Sequence, residues 1–359
     1  MSQGFQLLSL GGGAAAGVFL LCYPVRSALV RSSIIDRPNQ RSSHSRPTAR
    51  GGGIAIILVV IVAGLAAGRR SDVVLALMGL SFGLAALSFW DDLRPLRPAV
   101  RFGGHALAAL GVLYALNWPR FSVGLTSQPG VALPALASWF FLFLWLTGYT
   151  NAFNFMDGIN GLAAGQAVVT GFGMALLGSV ASGQWSVISG QWAVVSPPVL
   201  LSLVIAGAAL GFLPHNFPKA RIFMGDVGSA PLGFLLATLV IWMARDFGWW
   251  LLVPLTLLHA NFVLDTGITL ARRILRGERW YEAHREHFYQ RLIRSGKSHA
   301  FVTLWEMGLQ LIVLGLMVVY VFNGVPMRVA LVATVLMIWL AFFAYCDRCF
   351  QTARRNEAG

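Results

Sequence analysis

Five polar segments carry the residues able to do chemistry. The segment WDDLRPLRPAVRF sets Asp91 beside Asp92. Adjacent carboxylates repel, and a metal ion or other bound cation relieves the repulsion. A helix cap would account for one aspartate but not for two at the edge of an apolar run. The segment NAFNFMDGINGLAAG spaces Asn151, Asn154 and Asp157 three apart. On a helix this aligns two amides and a carboxylate along one face, before Gly158 and Gly161 break it. The plainer reading, a helix end capped by Asn and Gly, does not need that spacing. In PHNFPKARIFMGDVGSAPLG, Asp226 lies between Gly225 and Gly228. A carboxylate in a glycine turn at a helix start suits a hard cation. Phe223 nearby could stack on a base, although core or lipid packing is the commoner use of such a ring.

The remaining two segments are cationic. ERWYEAHREHFYQRLIRSG places His284 and His287 among Arg279, Arg285, Arg291 and Arg294. This suits an anionic substrate better than a metal, because no carboxylate is placed as in known zinc motifs. DRPNQRSSHSRPTARGGG supplies Arg37, Arg41, His44, Arg46 and Arg50, then three glycines. Guanidinium forks match phosphate, and glycine permits close backbone approach. The same arginines would also serve as an ordinary positively charged inside loop. Asp265, with Asn261 four residues before it, is expected to order a helix bundle by hydrogen bonding rather than to do chemistry.

The elements that hold these segments must be membrane helices. The chain has 359 residues, of which 57% are hydrophobic and 11% charged. Soluble domains carry about 25% charged residues. Eleven stretches reach the apolar length of a span: about 5–25, 52–68, 73–90, 102–118, 135–153, 161–181, 197–213, 229–245, 249–270, 301–322 and 327–346. The first has no charged segment before it and no A-x-A site after it, so it reads as a retained helix. The expectation is an all-α polytopic membrane protein with about ten or eleven transmembrane helices. With the N-terminus outside, 22 of the 27 Lys and Arg residues fall on inside segments. That asymmetry sets the orientation and explains the net charge of +13 without nucleic acid. It also places all five polar segments on the cytoplasmic face. The three cysteines, Cys22, Cys346 and Cys349, imply neither a disulfide framework nor a zinc site.

Taken together and in order, these segments resemble the polyprenyl-phosphate N-acetylhexosamine-1-phosphate transferases, glycosyltransferase family 4, which also includes the peptidoglycan translocase. The motif-bearing region is 36–292, within one membrane-embedded transferase domain spanning 1–359. The resemblance implies transfer of a HexNAc-1-phosphate from a UDP-N-acetylhexosamine to polyprenyl (undecaprenyl) phosphate in the bacterial inner membrane, with release of UMP. It implies Mg²⁺, with Mn²⁺ as an alternative, and it allows a homodimer. Asp226 is then the main metal ligand and Asp157 a second ligand or organiser. Asp91 would deprotonate or orient the lipid phosphate, with Asp92 beside it. Asn151 and Asn154 would hold the nucleotide-sugar, Phe223 would stack on uracil, and His287, Arg291, Arg50 and His44 would hold phosphates.

Departures from the family pattern bear on the donor. Where the family has DGIDGLA, this chain has Asn160 at the second acidic position. The usual HxHH becomes HFYQ, so His287 matches the first histidine while Tyr289 and Gln290 stand for the later two. A lysine usual after the acidic pair is replaced near Ala99, with Arg101 retained. These features are similar to the branch that starts O-antigen on UDP-GlcNAc or on 6-deoxy donors such as UDP-FucNAc and UDP-QuiNAc. A transporter of an anionic lipid is the rival class. It would be expected to show internal repeats and charge at mid-membrane depth, whereas here the charges crowd one face. A scaffold would need none of the five segments.

Overall fold

The computed structural model describes residues 3–38, 46–68, 71–125, 130–182, 196–279 and 284–358. His44 lies outside the described residues. Thirteen α-helices are formed among them, in the order α1 (Gln3–Arg31), α2 (Gly53–Gly68), α3 (Asp72–Leu93), α4 (Pro98–Ala115), α5 (Ala135–Met156), α6 (Leu162–Ala181), α7 (Pro197–Asn216), α8 (Asp226–Phe247), α9 (Leu252–Leu257), α10 (Ala260–Leu275), α11 (Phe288–Arg294), α12 (His299–Val321) and α13 (Val325–Ala358).

Every expected apolar stretch falls on helix, and the protein is an all-α polytopic membrane protein. Seven helices (α1, α3, α6, α7, α8, α12 and α13) are long and apolar enough to cross a membrane, and the bent pair α9–α10 would make an eighth. The other three expected stretches are α2, α4 and α5. The first has only 16 residues. The other two are diluted by polar residues: Arg101 and His105 in α4, and Thr147, Asn151 and Asn154 in α5.

The stretch expected as one helix over 249–270 is broken. A 3₁₀ turn at Trp249–Leu251 and α9 precede α10, with a bend of 74°. At the break, the Leu258 carbonyl accepts side-chain donors from Gln166, Thr170 and Gln310. Polar side chains from α6 and α12 thus supply the bonds a continuous helix would have made.

The centre of the bundle is α8, whose apolar window is wholly buried. It packs against α3 and α5, while α7 packs between α1 and α6. A helix apolar on all sides belongs in the middle of a bundle rather than facing water.

Three short strands tie two of the polar segments together. Strand β1 (Ile35–Asp36) pairs antiparallel with β2 (Thr48–Arg50). A further hairpin, β3 (Ser122–Val123) with β4 (Val131–Ala132), lies between α4 and α5. Strand β5 (Ile222–Phe223), just before α8, pairs in parallel with β2, so that Arg50 lies opposite Phe223. The 51–53 glycines then run against the start of α8. Gly51 and Gly52 donate to the Phe223 carbonyl at 3.2 and 2.8 Å, and Gly53 to that of Met224 at 2.8 Å. A Cβ on Gly53 would meet the Gly228 Cα at 2.2 Å. The glycines do permit a close backbone approach, and what approaches them is the protein's own α7–α8 turn.

Candidate active site

The site is assembled on helix ends. Asp91 and Asp92 occupy the last turn of α3, one turn further inside the helix than the expected boundary at residue 90. Asp226 is the first residue of α8, entered through Gly225 at φ +74°. That left-handed conformation favours glycine. A Cβ there would also crowd an Asp92 carboxylate oxygen at 2.8 Å.

Asp92 faces this turn with a fully buried side chain. Its carboxylate accepts the backbone N–H groups of Asp226 (3.2 Å) and Val227 (3.1 Å). An acidic side chain from α3 thus caps the start of α8 and answers two of the unpaired donors found at a helix N-terminus.

Arg50 bridges the two carboxylates. Its Nε lies 2.8 Å from Asp92 and a terminal nitrogen 2.8 Å from Asp226. Burial lowers the guanidinium's proton affinity, but the carboxylates of Asp226, Asp92 and Asp36 outweigh this and hold it above its ordinary value. From α4, Arg101 pairs with Asp91 at 3.2 Å and approaches Asp226 at 3.9 Å. The other Asp91 oxygen accepts the Leu96 N–H at 2.6 Å.

Between these groups lies an open cleft lined by Asp91, Asp226, Arg101, His105, Asn151, Asn154 and Phe155. Asn154 donates to the Ser229 hydroxyl at 2.9 Å, tying α5 to the first turn of α8. Asn151 donates to its own helix at Thr147 and shares a side-chain hydrogen bond with His105 on α4. Asp157 caps the end of α5 and is half-buried. Withdrawal from solvent first, then the charges of Asp226 and Asp92, push its carboxyl well above the usual carboxylate range against the pull of Arg50.

Four carboxyl groups meet two guanidiniums here. Among the described residues, no three His, Cys, Asp or Glu side chains converge as a closed metal cage. A magnesium ion does not need one. It takes one or two carboxylates and fills its octahedron with water and phosphate oxygens. Hard oxygen donors and an open cleft are compatible with such an ion.

The fifth segment is docked beside this cleft. Buried Asp265 on α10 bonds His287 Nδ1 at 2.9 Å and accepts the Phe288 and Tyr289 N–H groups at 2.9 and 3.4 Å. Tyr289 donates its hydroxyl to the Phe155 carbonyl at 3.1 Å. Burial, with Asp265 and Asp157 nearby, raises the phenol's pKa and keeps it a donor. A Cβ on Gly158 would meet the Tyr289 hydroxyl at 2.0 Å, so Gly158 makes room for it. His284 packs 4.9 Å from His287, and burial, followed by the neighbouring charges of His287 and Arg273, lowers its pKa to about 4.

The structure therefore brings Arg50, Asp91, Asp92, Asn151, Asn154, Asp157 and Asp226 together, with half-buried Phe223 opposite Arg50 on the sheet and His287 alongside. Arg291 faces elsewhere: it pairs with Asp347 on α13 at 2.6 Å and lies over the Phe288 ring. Arg101, His105, Ser229 and Tyr289 were not singled out as site residues from the sequence. The four-residue spacing of Arg101 and His105 on one face of α4 was the available signal.

Asn160 has a visible use. Its amide donates to the Pro218 carbonyl at 3.1 Å, its carbonyl accepts from Thr303, and the next N–H donates to Asn216 at 2.6 Å. The third and fourth segments are joined through this residue.

Residues 74–244 match glycosyl transferase family 4. The chain is 30% identical over 317 residues to the decaprenyl-phosphate N-acetylglucosaminephosphotransferase of Mycolicibacterium smegmatis, covering 82% of this chain and 77% of that protein. It is 27% identical over 332 residues to a probable undecaprenyl-phosphate N-acetylglucosaminyl 1-phosphate transferase of Bacillus subtilis, covering 91% and 84%. It is 31% identical over 310 residues to the phospho-N-acetylmuramoyl-pentapeptide-transferase of Desulforudis audaxviator, covering 78% and 87%.

Proposed function

The chain belongs to glycosyl transferase family 4, and from that premise we propose that it moves a HexNAc-1-phosphate from a UDP-amino-sugar to polyprenyl phosphate at the cytoplasmic face of a bacterial inner membrane. The observation that carries this reading is the gathering of four carboxyl groups and two arginines, from four separate segments, around one cleft at the helix ends. Joining two anions requires such a site. A lipid phosphate oxygen attacks the β-phosphorus, the bond to the bridging oxygen breaks, and UMP leaves with that oxygen.

The cleft residues divide the work. Asp91 lines the cleft and orients the incoming lipid phosphate, accepting a proton if one is present. Asp92, buried beneath it, positions Asp226 and Arg50. Asp226 and Asp157 hold Mg²⁺ or Mn²⁺, which when bound supplies charge neutralisation on the diphosphate. Arg50 and Arg101 spread the charge that develops during transfer. Asn151 and Asn154 contact the nucleotide-sugar, and Phe223 stacks on uracil. His287 faces the donor's phosphates, with the first-segment arginines and His44 completing their electrostatic setting.

The product starts a lipid-linked cell-envelope polysaccharide of the O-antigen kind. UDP-GlcNAc or a 6-deoxy donor such as UDP-FucNAc or UDP-QuiNAc is its substrate. The departures at Asn160, Tyr289 and Gln290 support the second choice. Purified protein, polyprenyl phosphate, Mg²⁺ and a panel of UDP-N-acetylhexosamines test the reading. UMP release that requires the lipid supports it, and the best donor identifies the branch. Folded protein that releases no UMP with any donor in the panel would count against it.

A further inference from the structure

Among the described residues, two buried acidic side chains, Glu306 on α12 and Asp265 on α10, have no role in transfer so far. Asp265 is 1% exposed, on a helix reached only after the 74° bend. Both of its oxygens are occupied. One faces His287 Nδ1 at 2.9 Å and accepts the Thr269 hydroxyl at 3.3 Å. The other accepts the backbone N–H groups of Phe288 and Tyr289. These two backbone groups can only donate, and with them Asp265 is placed as an acceptor throughout. The proton shared with His287 therefore belongs on Nδ1.

The His287 ring is also held by its faces. Tyr289 stacks on it at 5.8 Å and 13°, and His284 packs against it at 4.9 Å. With Nδ1 committed, Nε2 is the nitrogen left to engage another group. A carboxylate that fixes one imidazole nitrogen sets the tautomer, the orientation and the basicity of the other.

We propose that Asp265 is a positioning residue: it keeps His287 protonated at Nδ1 and so reserves Nε2 for the nucleotide-sugar. This rests on the transferase reading given above. Asparagine at 265 would send its carbonyl to the two backbone N–H groups and turn its NH₂ toward His287. Nδ1 would then have to be the acceptor, and the ring would carry its proton on Nε2.

Two measurements on the full-length protein test this. In ¹⁵N-histidine-labelled protein, with the His287 signal assigned by its loss in His287→Gln, the wild type is expected in the Nδ1–H form and Asp265→Asn in the Nε2–H form. In the transfer assay, Asp265→Asn is expected to lower kcat/KM for the UDP-sugar by about ten- to a hundredfold. The KM for polyprenyl phosphate stays unchanged, and the Asp265→Asn/His287→Gln double variant loses little more than the worse single variant.

A neutral wild-type His287 carrying its proton on Nε2 overturns the proposal, as does Asp265→Asn with wild-type kcat/KM for the donor. If Asp265→Asn does not fold, the wild-type spectrum still decides the tautomer. If wild-type protein turns over no UDP-sugar, the transferase reading fails while the spectrum still decides the Asp265–His287 relationship.

Discussion

The carboxylate of Asp92 accepts the backbone N–H of Asp226 at 3.2 Å, so one acidic residue builds the position of the other. The two should therefore fail differently when replaced. Asp92→Ala removes a helix cap and one of the carboxylates paired with Arg50, and is expected to lower stability by about 1–3 kcal/mol together with activity. Asp226→Asn keeps the backbone contact. It should abolish UMP release while leaving the unfolding midpoint within a few degrees of wild type. Thermal unfolding and the transfer assay, run side by side on both variants, separate the roles. Near-normal turnover in Asp226→Asn would remove Asp226 from the metal site.

Arg50→Lys keeps the charge but cannot reach Asp92 and Asp226 together, because the bridge uses two nitrogens of one planar fork. Turnover should fall at least about tenfold, an amount set by the loss of one preorganised charge contact. The steady-state rate with saturating donor reads this directly.

Asp157 gives a pH dependence with a defined sign. Its carboxyl is raised well above the ordinary range in the folded protein. Without divalent cations, the folded state then binds more protons than the unfolded state from near pH 4 upward. Stability from this group is present at low pH and is lost as pH rises toward the folded pKa. Asp157→Asn should flatten that part of the curve, and Mg²⁺ should raise the unfolding midpoint most on the alkaline side of the window. Unfolding midpoints between pH 4 and 8, with EDTA or with Mg²⁺, check both statements.

Gly158→Ala drives a methyl group against the Tyr289 hydroxyl, 2.0 Å from the built Cβ. Overpacking of this kind costs about 1–3 kcal/mol. Removing the hydroxyl opens space, so Tyr289→Phe should partly rescue Gly158→Ala in a thermal-unfolding double-mutant cycle. Gly53→Ala offers no such rescue, because what it meets is the backbone of Gly228.

Much of the site was legible because each segment keeps its chemistry within a few residues. Asp91, Asp92, the Asn151–Asn154–Asp157 row and Asp226 could be read from type and spacing, and the structure gathers them. The pairing of β2 with β5 could not, since two- and three-residue strands have no periodicity to detect. Arg291 shows the opposite failure. Its position among other arginines suggested phosphate, but its partner Asp347 lies 56 residues away on α13, beyond any local pattern. The sequence marks Asp265 as an ordering residue, and it does order α11. That its order is imposed on a histidine depends on the bend before α10, which the apolar stretch over 249–270 concealed.

The burial of α8 has a mechanical consequence. A helix that touches no lipid cannot adjust directly to a thicker or thinner bilayer; the outer helices must tilt first. Asp226 therefore rides on a post shielded from its surroundings, and the spacing between it and the lipid headgroups is set by the surrounding helices. Changing acyl-chain length in reconstituted vesicles should accordingly alter how readily the polyprenyl phosphate arrives, and leave the geometry around Asp226 as it was.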